Sequence, residues 1–335
     1  MQLKNMYKRW SLLALIAVSS AGSLFAQSRI YIHSHNDYCQ RVPFYQAYSQ
    51  QVYSIEADIY TNADETGLLV AHDRDELPTA LAIDELYINP IVTQFKRNQG
   101  KPWADNDHTL PLMIDLKTEE HPTLDLLVKK LQQYPEVFDP SVNPKAVKVL
   151  ITGNTPKPED FKNYPDFIFF DGRPQYDYTP EQLERIGLVS DSFDKYSHWN
   201  GKGAIIAPEK DKINQVIHKV HNWGKPVRFW GTPDGVTAWN TFHEMGIDII
   251  NTDRPELCSD FFKDFDRKNM QLAEKTETQV SEEKARATRL DKATRSFEGF
   301  DQSSSYLNQP VEIYQPTFQS DNADRTPKNI ILMIG

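Results

Sequence analysis

The sequence predicts an α/β fold of the (β/α)8 TIM-like barrel class. Short apolar strands alternate with helical stretches about eight times between residues 29 and 265, which is typical of parallel βα units. That span of roughly 240 residues fits the ~250 of such a barrel. Polar side chains follow several strands, where this architecture places its active site. An open doubly wound sheet is the alternative, but no glycine-rich phosphate loop follows the first strand.

Each predicted element has its own pattern. Period-two alternation or a short apolar run defines the strands, and apolar residues at helical spacing define the helices. The third strand is expected to form a hairpin with the second. Residues 77–107 contain Pro78, Pro90 and Pro102 and are expected to be loop-rich. The predicted strands are 30–32, 53–59, 68–71, 110–116, 147–152, 167–170, 188–190 or 204–206, 227–230 and 247–251, and the helices are 43–51, 123–134, 213–223 and 236–245.

The N-terminus predicts export. Residues 1–26 combine basic residues, a short apolar run and small residues before a plausible cut after Ala26, which is the pattern of a signal peptide. The mature chain is then secreted or periplasmic, with no transmembrane segment after cleavage; an uncleaved anchor is the alternative. The cysteines, Cys39 and Cys258, are expected to be two free buried thiols, with one bridge as the alternative.

The formal net charge is −10, which argues against nucleic acid or an anionic membrane as a bulk electrostatic partner. It does not exclude a small anionic substrate held by a metal ion. Residues 266–322 are rich in charged and polar side chains and predict a charged linker, largely disordered, with a solvated helix as the alternative.

The first strand runs directly into His33-Ser34-His35-Asn36-Asp37. Glu56 and Asp58 share one side of the second strand, because strand side chains repeat every second residue. Two acids on an inner face are costly unless a cation lies between them. With Asp115 and the amide of Asn36 they form a set of oxygen ligands that suits one divalent cation, Ca²⁺ or Mg²⁺.

Three further residues predict acid–base chemistry beside that cation. His35 and His72 are imidazoles that titrate near neutrality and can exchange protons with a substrate. Lys117 adds a fixed positive charge near the acids. A cation, two imidazoles and a lysine are what cleavage of a phosphodiester requires, so His35, His72 and Lys117 are the candidate catalytic residues.

These motifs resemble known families. His35-Asn36-Asp37-Tyr38 is similar to the His-Asn-Thr-Tyr signature of phosphoinositide-specific phospholipase C. Glu56-Ala57-Asp58 followed by His72 resembles the motif that this family shares with glycerophosphodiester phosphodiesterases, and residues 112–117 resemble the third strand of the same superfamily. The pattern is most similar to PLC-like phosphodiesterases of the altered-inheritance-of-mitochondria type.

The resemblance implies a TIM-like barrel and metal-assisted attack, usually by a neighbouring substrate hydroxyl. It implies a small phosphodiester or lipid head group as substrate, His35 and His72 as the acid–base pair, and Asn36, Glu56, Asp58 and Asp115 as metal ligands. Asp115 stands where the family often has Glu, and Asp37 replaces a small hydroxyl residue. His33 is an additional imidazole, expected to be packed or to support the site.

The last nine residues, 327–335, resemble the first strand of metal-dependent alkaline phosphatases, so residues 323–335 are interpreted as the start of a truncated domain of that kind. The resemblance implies a covalently fused phosphatase domain as the partner, and that domain is missing from this chain.

Two weaker candidates bind substrate rather than metal. Arg173 follows the fifth predicted barrel strand and could hold a phosphate, or form a surface salt bridge. Trp230 could stack on a substrate, or pack in the core. Asp253 and Arg254 are expected to form a local ion pair.

Two other functions remain open from the sequence. A barrel glycosidase would use Glu56 with another carboxylate, would need no metal, and would leave His35 and His72 unexplained. A non-catalytic module that binds phosphorylated head groups for the fused phosphatase would show binding without turnover.

Overall fold

The computed structural model describes residues 30–297, apart from the side chains of 273, 274 and 289–297. The chain separates into two compact units, Met1–Asn269 and Met270–Gly335. The predicted signal peptide and the predicted phosphatase-like strand lie outside the described residues and remain predictions, as do the domain boundaries.

The first unit contains a closed barrel of eight parallel strands. In chain order the strands are β1 Tyr31–Ser34, β2 Ser54–Thr61, β3 Leu68–Val70, β4 Pro111–Leu116, β5 Lys148–Gly153, β6 Ile168–Gly172, β7 Ile186–Ser192, β8 Val227–Trp230 and β9 Ile249–Thr252. The sheet runs β1-β9-β8-β7-β6-β5-β4-β2, and pairing of β1 with β2 closes it. β3 pairs antiparallel with β2 outside the ring. The predicted barrel class and the predicted hairpin are both confirmed.

Helices follow most strands of the barrel. They are α1 Tyr45–Ser49, α2 Asn89–Arg97, α3 Glu120–Leu131, α4 Pro135–Phe138, α5 Pro180–Glu184, α6 Ala207–Asn222, α7 Val236–Glu244 and α8 Pro255–Phe297. Short 3-10 helices span Asp37–Cys39, Arg74–Thr79, Pro158–Asn163 and Phe193–Lys195, and a π-helical turn spans Asp84–Ile88. Of the two candidates for the sixth barrel strand, residues 188–190 lie within β7, whereas 204–206 form no strand.

The expectation of a loop-rich segment at 77–107 was wrong over 84–97. The π-helical turn runs directly into α2, and the apolar side chains that recur at helical spacing are buried. Pro90 is the second residue of α2 and stands just after the π-helical turn, at the junction of the two helical segments, and it does not interrupt α2. The buried side chains of this segment are Tyr87, Ile88, Ile91, Val92 and Phe95.

Side chains inside the barrel form two layers. The lower layer is an apolar cluster separate from the main core, and the upper layer is polar. On β1, β4, β5, β6, β7 and β9 the upper layer lies two residues further along the same strand. Because every second side chain of a strand points into the barrel, a polar layer lies above an apolar layer at the carboxyl ends of the strands. The lower layer contains Tyr31, Tyr53, Met113, Leu150, Phe169, Leu188 and Ile249; the upper layer contains His33, Glu56, Asp115, Thr152, Asp171, Ser190, Arg228 and Asn251.

The segment for which a disordered linker was favoured is helical as far as it is described. α8 continues through Phe297, so residues 266–297 form the helix that was the alternative to a disordered linker. In the second unit, from Met270, the described side chains are exposed. The helix is rich in Glu, Lys, Arg, Gln and Ala, whose high helix propensities favour a helix even when it is solvated.

Two further expectations concern the cysteines and membrane spans. Both cysteines are free, as expected, but only Cys258 is buried, whereas Cys39 is exposed. Within residues 30–297, none of the helices is both long enough and apolar enough to cross a bilayer.

Candidate active site

A cavity of about 390 Å³ opens at the carboxyl ends of the strands. It brings together predicted site residues that are up to about two hundred positions apart in the chain. A larger cavity, about 600 Å³, lies near α4 and the start of β6 and is lined mainly by apolar residues without imidazoles; the chemistry of the side chains, not the size, identifies the site. The active-site cavity, the one of about 390 Å³, is lined by His35, Glu56, His72, Asp115, Lys117, Thr152, Gly153, Arg173, Arg228, Trp230 and Gly231.

The three predicted acidic ligands converge. Glu56, Asp58 and Asp115 each place a carboxylate oxygen within 4.8 Å of the others, because Asp58 and Asp115 are paired in register across β2 and β4. Asp58 is buried, and its Oδ1 has no hydrogen-bond partner. A buried carboxylate oxygen without a partner is costly, and a cation would relieve that cost. The residues present therefore fit a divalent cation.

Gly153 makes room for this cluster. A Cβ built on Gly153 would lie 1.9 Å from Oδ1 of Asp115, and the residue has a φ of +75°. Glycine adopts that backbone conformation without strain, and its lack of a Cβ leaves space for the carboxylate.

Lys117 bridges two of the acids. Its Nζ lies 2.9 Å from Oδ2 of Asp58 and 2.9 Å from Oδ2 of Asp115. Burial alone would lower the pKa of Lys117, but Asp115 and Asp58 outweigh burial and raise that pKa above its ordinary value. Lys117 therefore stays a cation, as expected, and it contacts the acids directly.

The hydroxyl of Tyr38 joins three predicted site residues. Its Oη lies 2.8 Å from Oδ2 of Asp58, 2.9 Å from Oδ1 of Asn36 and 3.1 Å from Nδ1 of His72. Asn36 adopts a left-handed conformation, with φ 48°, which asparagine tolerates better than most residues. Tyr38 therefore connects Asn36 to the acidic cluster, although Asn36 does not line the cavity itself.

The proton on each catalytic candidate's ring can be inferred from its partner. Nδ1 of His72 lies 3.1 Å from Oδ2 of Asp58, and Nδ1 of His35 lies 2.7 Å from Oδ1 of Asp253. A carboxylate only accepts, so Nδ1 carries the hydrogen in both rings. The other nitrogen, Nε2, is therefore unprotonated in each neutral imidazole and is available for chemistry.

The role expected for Asp253 was wrong, because its carboxylate holds His35 instead of forming a local pair with Arg254. Pairing of Ser34 with Thr252 across β1 and β9 places the two following residues side by side. Burial lowers the pKa of His35, but the hydrogen bond that His35 donates to Asp253 and the charge of Glu56 outweigh burial and raise the pKa above the ordinary 6.5. The signal available in the sequence was that the first and last strands of a closed barrel are neighbours.

Arg228 is a site residue that sequence reasoning missed. It is buried in the upper layer, and its Nη1 lies 2.8 Å from Oε2 of Glu56 and 3.1 Å from Oδ1 of Asn251. Burial alone would raise the pKa of Glu56, but Arg228 and His33 outweigh it and lower the pKa below its usual range. The signal was a charged residue between the apolar Val227 and Phe229 of a barrel strand.

His33 supports Glu56 from within the barrel, as expected for the additional imidazole. Its Nε2 lies 2.6 Å from Oε2 of Glu56 and its Nδ1 lies 2.7 Å from Oγ of Ser54. Burial and the nearby Arg228 lower the pKa of His33 to about 4, so the ring is neutral. The Nε2 atom of His33 cannot donate a hydrogen bond to Glu56 and accept one from Arg228 at the same time. The geometry is satisfied if Nε2–H donates to Glu56 and the hydroxyl of Ser54 donates to Nδ1.

The two substrate-binding candidates both reach the cavity. Arg173 is not on the open surface, because its Nη1 lies 2.6 Å from Oδ2 of the buried Asp171 and 3.2 Å from Oγ of Ser190. Trp230 is 41% exposed at the edge of the cavity instead of packing in the core.

Comparisons with known proteins agree with the motifs. Residues 26–171 match the AIM6-like phosphodiesterase domain family. Altered inheritance of mitochondria protein 6 from Eremothecium gossypii is 26% identical over 282 residues, covering 69% of this chain and 69% of that protein. The Arthroderma benhamiae homologue is 26% identical over 273 residues, covering 69% of this chain and 83% of that protein.

Among solved structures, a glycerophosphodiester phosphodiesterase from Parabacteroides distasonis aligns with a TM-score of 0.46 and 15% identity, covering 71% of this chain and 98% of that one. The family match over residues 26–171 confirms the resemblance to phosphodiesterases of the altered-inheritance-of-mitochondria type that the sequence indicated.

Proposed function

We propose that this protein is an exported, divalent-metal-dependent phosphoric diester hydrolase that acts on a glycerophosphodiester or phosphoinositol-like substrate. The single observation that carries the proposal is the unpartnered, buried Oδ1 of Asp58 within an acidic cluster that shares one cavity with two imidazoles. Export to the periplasm or the medium rests on the signal-like residues 1–26.

Glu56, Asp58 and Asp115, with Asn36 beside them, would hold one Ca²⁺ or Mg²⁺. When bound, such an ion would polarise a phosphoryl oxygen and offset its charge. Glu56 has Oε2 occupied by Arg228 and His33, so Oε1 is the oxygen that it offers to the cavity. Both ions bind carboxylate and amide oxygens, and Ca²⁺ accepts irregular sets of oxygen ligands more readily than Mg²⁺ does.

His35 and His72 would move the protons. The unprotonated Nε2 of one ring removes the hydrogen from the attacking hydroxyl, either a neighbouring hydroxyl of the substrate or water, as a new P–O bond forms. The other ring, in its protonated form, donates a proton to the leaving oxygen as the old P–O bond breaks. Asp253 fixes the orientation of His35, while Tyr38 and Asp58 fix that of His72.

Two cationic residues would stabilise charge on the phosphoryl group. Lys117 and Arg173 line the same cavity as both imidazoles. Their side chains are partly exposed, with 22% and 24% of each accessible, so each can present N–H groups to an anion while it keeps its carboxylate partner.

The experiment is hydrolysis of bis(p-nitrophenyl) phosphate with added Ca²⁺ or Mg²⁺. We expect activity that EDTA abolishes and that the matching metal restores, and we expect loss of activity in H35A and in H72A. Activity that survives both EDTA and His35→Ala would overturn the proposal. Specific binding of phosphorylated head groups without turnover would instead favour the non-catalytic module.

The glycosidase alternative fits the geometry poorly. The acidic oxygens approach within 4.8 Å of one another, whereas inverting glycosidases need ~6.5–9.5 Å between carboxylates. A retaining pair would leave His35 and His72, which line the same cavity, without a role.

A further inference from the structure

Asp37 is a buried carboxylate that the proposed chemistry does not use. It lies in the short 3-10 helix after β1, and its side chain is fully buried. Oγ of Ser34 donates to Oδ1 of Asp37 at 2.8 Å, and the backbone N–H of Phe44 donates to Oδ2 at 2.6 Å. The hydroxyl of Tyr87 donates to the same Oδ2 at 3.1 Å. Burial of a carboxylate is costly unless donors surround it, so these three donors stabilise Asp37 in one orientation.

Asp37 lies near the start of a stretch of chain whose end it also holds. We call residues 36–44 the 36–44 segment. It begins at Asn36, with φ 48°, and ends at Phe44, with φ 61° and ψ −59°. Phe44 is fully buried, and a positive φ in a bulky residue is strained. The hydrogen bond from the N–H of Phe44 to Asp37 therefore stabilises a backbone conformation that is unfavourable by itself.

The third donor comes from a different element of the fold. Tyr87 is fully buried and belongs to the π-helical turn Asp84–Ile88, which runs directly into α2. π-helical turns are rare and often occur near functional sites. This one carries a hydroxyl that contacts Asp37 although the two residues are 50 positions apart in the chain. One carboxylate therefore joins the π-helical turn to the 36–44 segment.

The same segment reaches the partners of both imidazoles in the active-site cavity. Oη of Tyr38 lies 3.1 Å from Nδ1 of His72. Nε2 of Gln40 donates to the carbonyl oxygen of Asp253 at 2.8 Å, and the carboxylate of Asp253 holds Nδ1 of His35. A shift of the segment would therefore disturb the hydrogen bonds that orient both rings.

Resting on the proposed function, we infer that Asp37 is a positioning residue for both imidazoles of the acid–base pair. Asp37 does not line the cavity and exchanges no proton with the substrate. It holds the 36–44 segment against β1 and the π-helical turn, which keeps the hydroxyl of Tyr38 on His72. The same anchor keeps the amide of Gln40 on the backbone of the residue that orients His35.

Two substitutions of Asp37 separate loss of the anchor from its rescue. D37A removes all three hydrogen bonds. D37N keeps them, because its amide oxygen can accept from Phe44 and Tyr87 while its NH₂ group donates to Ser34. We expect D37A to lower kcat for bis(p-nitrophenyl) phosphate about a hundredfold and to change KM less than threefold. D37N should stay within about threefold of wild type in kcat.

A milder variant tests the inference if D37A does not fold. Y87F removes one hydrogen bond and keeps the ring, and we expect it to lower kcat about threefold to tenfold with KM unchanged. The matched control is I91V, which shortens a buried side chain of α2 by one carbon and leaves the hydrogen bonds of Asp37 in place. I91V should lower Tm to a similar extent without lowering kcat. Equal kcat losses in Y87F and I91V, or equal kcat in D37A and wild type, would overturn the inference.

Nitrogen NMR of the imidazole rings tests the inference without turnover and so separates its failure from failure of the proposed function. We expect the ring signals of His35 and His72 to shift in Y87F and to keep their wild-type positions in I91V. Unchanged ring signals in Y87F would overturn the inference even if wild type hydrolyses the diester. Shifted signals in a protein that hydrolyses no diester would support the positioning role and remove only the proposed function.

Discussion

Nδ1 of His35 lies 2.7 Å from Oδ1 of Asp253, although 218 positions separate the two residues. The pair exists because β1 and β9 are neighbours in the closed barrel. It fixes the tautomer of a ring that lines the cavity, in the manner of carboxylate-held histidines that act as acids or bases.

Asp253→Asn is expected to lower kcat by about tenfold to a hundredfold, because an amide can donate to Nδ1 and so favour the wrong tautomer. The side chain of Asp253 is 58% exposed, so the fold should be unaffected. Steady-state kinetics and a thermal melt measure the two effects. Asp177→Asn, a change at a fully exposed acid that does not line the cavity, is the control, and an equal loss in both variants would contradict the role of Asp253.

Tyr38→Phe is expected to lower kcat by about tenfold with little change in stability. The ring remains, while Asp58, Asn36 and His72 lose the hydroxyl that joins them, and the net contribution of one such hydrogen bond is ~1 kcal/mol. Nitrogen NMR of the His72 ring reports its tautomer directly. An unchanged His72 spectrum together with unchanged kcat would show that the hydroxyl has no positioning role.

Asp58→Asn is expected to weaken binding of Ca²⁺ or Mg²⁺ by at least about tenfold, because it removes one negative charge from the proposed ligand set. Isothermal titration calorimetry measures the affinity without relying on turnover. Asp191→Asn is the control, since Asp191 is also buried and bound to a lysine, Lys195, but is absent from the acidic cluster. Equal affinities for wild type and D58N would remove the metal site.

Arg228→Leu is expected to cost ~3–5 kcal/mol of unfolding free energy at pH 7 in EDTA, because it leaves the buried Glu56 without its cation. Denaturant unfolding measures the loss. The matched variant is R228L combined with Glu56→Gln, which removes the stranded charge and should recover part of the stability. A double variant no more stable than R228L alone would contradict this account of the pair.

Tyr53→Phe is expected to flatten the alkaline loss of stability. Burial raises the pKa of Tyr53 from 10.0 to about 12, so between these values the unfolded chain releases a proton that the native state keeps. The contribution of Tyr53 to the free energy of unfolding is therefore fully present below pH 10. It is lost as the pH rises toward 12, by up to about 2 kcal/mol. Unfolding free energies at pH 9 and pH 11.5 test this, and identical slopes for wild type and Y53F would contradict it.

Much of the fold could be predicted from local pattern. Strand periodicity located the barrel strands and placed Glu56 and Asp58 on one side of β2, and the polar residues after β1 indicated a functional strand end. The helix at 89–97 was missed because prolines were taken as breaks, although Pro90 occupies a first-turn position where it is tolerated. The helix at 266–297 was given less weight than disorder because solvated charged helices and linkers share a composition.

The sequence by itself identified the candidate residues of the site: the acids Glu56, Asp58 and Asp115, the imidazoles His35 and His72, and Lys117, each near a strand end that periodicity locates. Only the tertiary structure decided their partners. Asp253 meets His35, and Arg228 meets Glu56, because closure of the barrel brings together strands that are distant in the chain. Spacing along a chain fixes which face a side chain occupies, whereas the strand order and register of the closed sheet fix which side chains it meets.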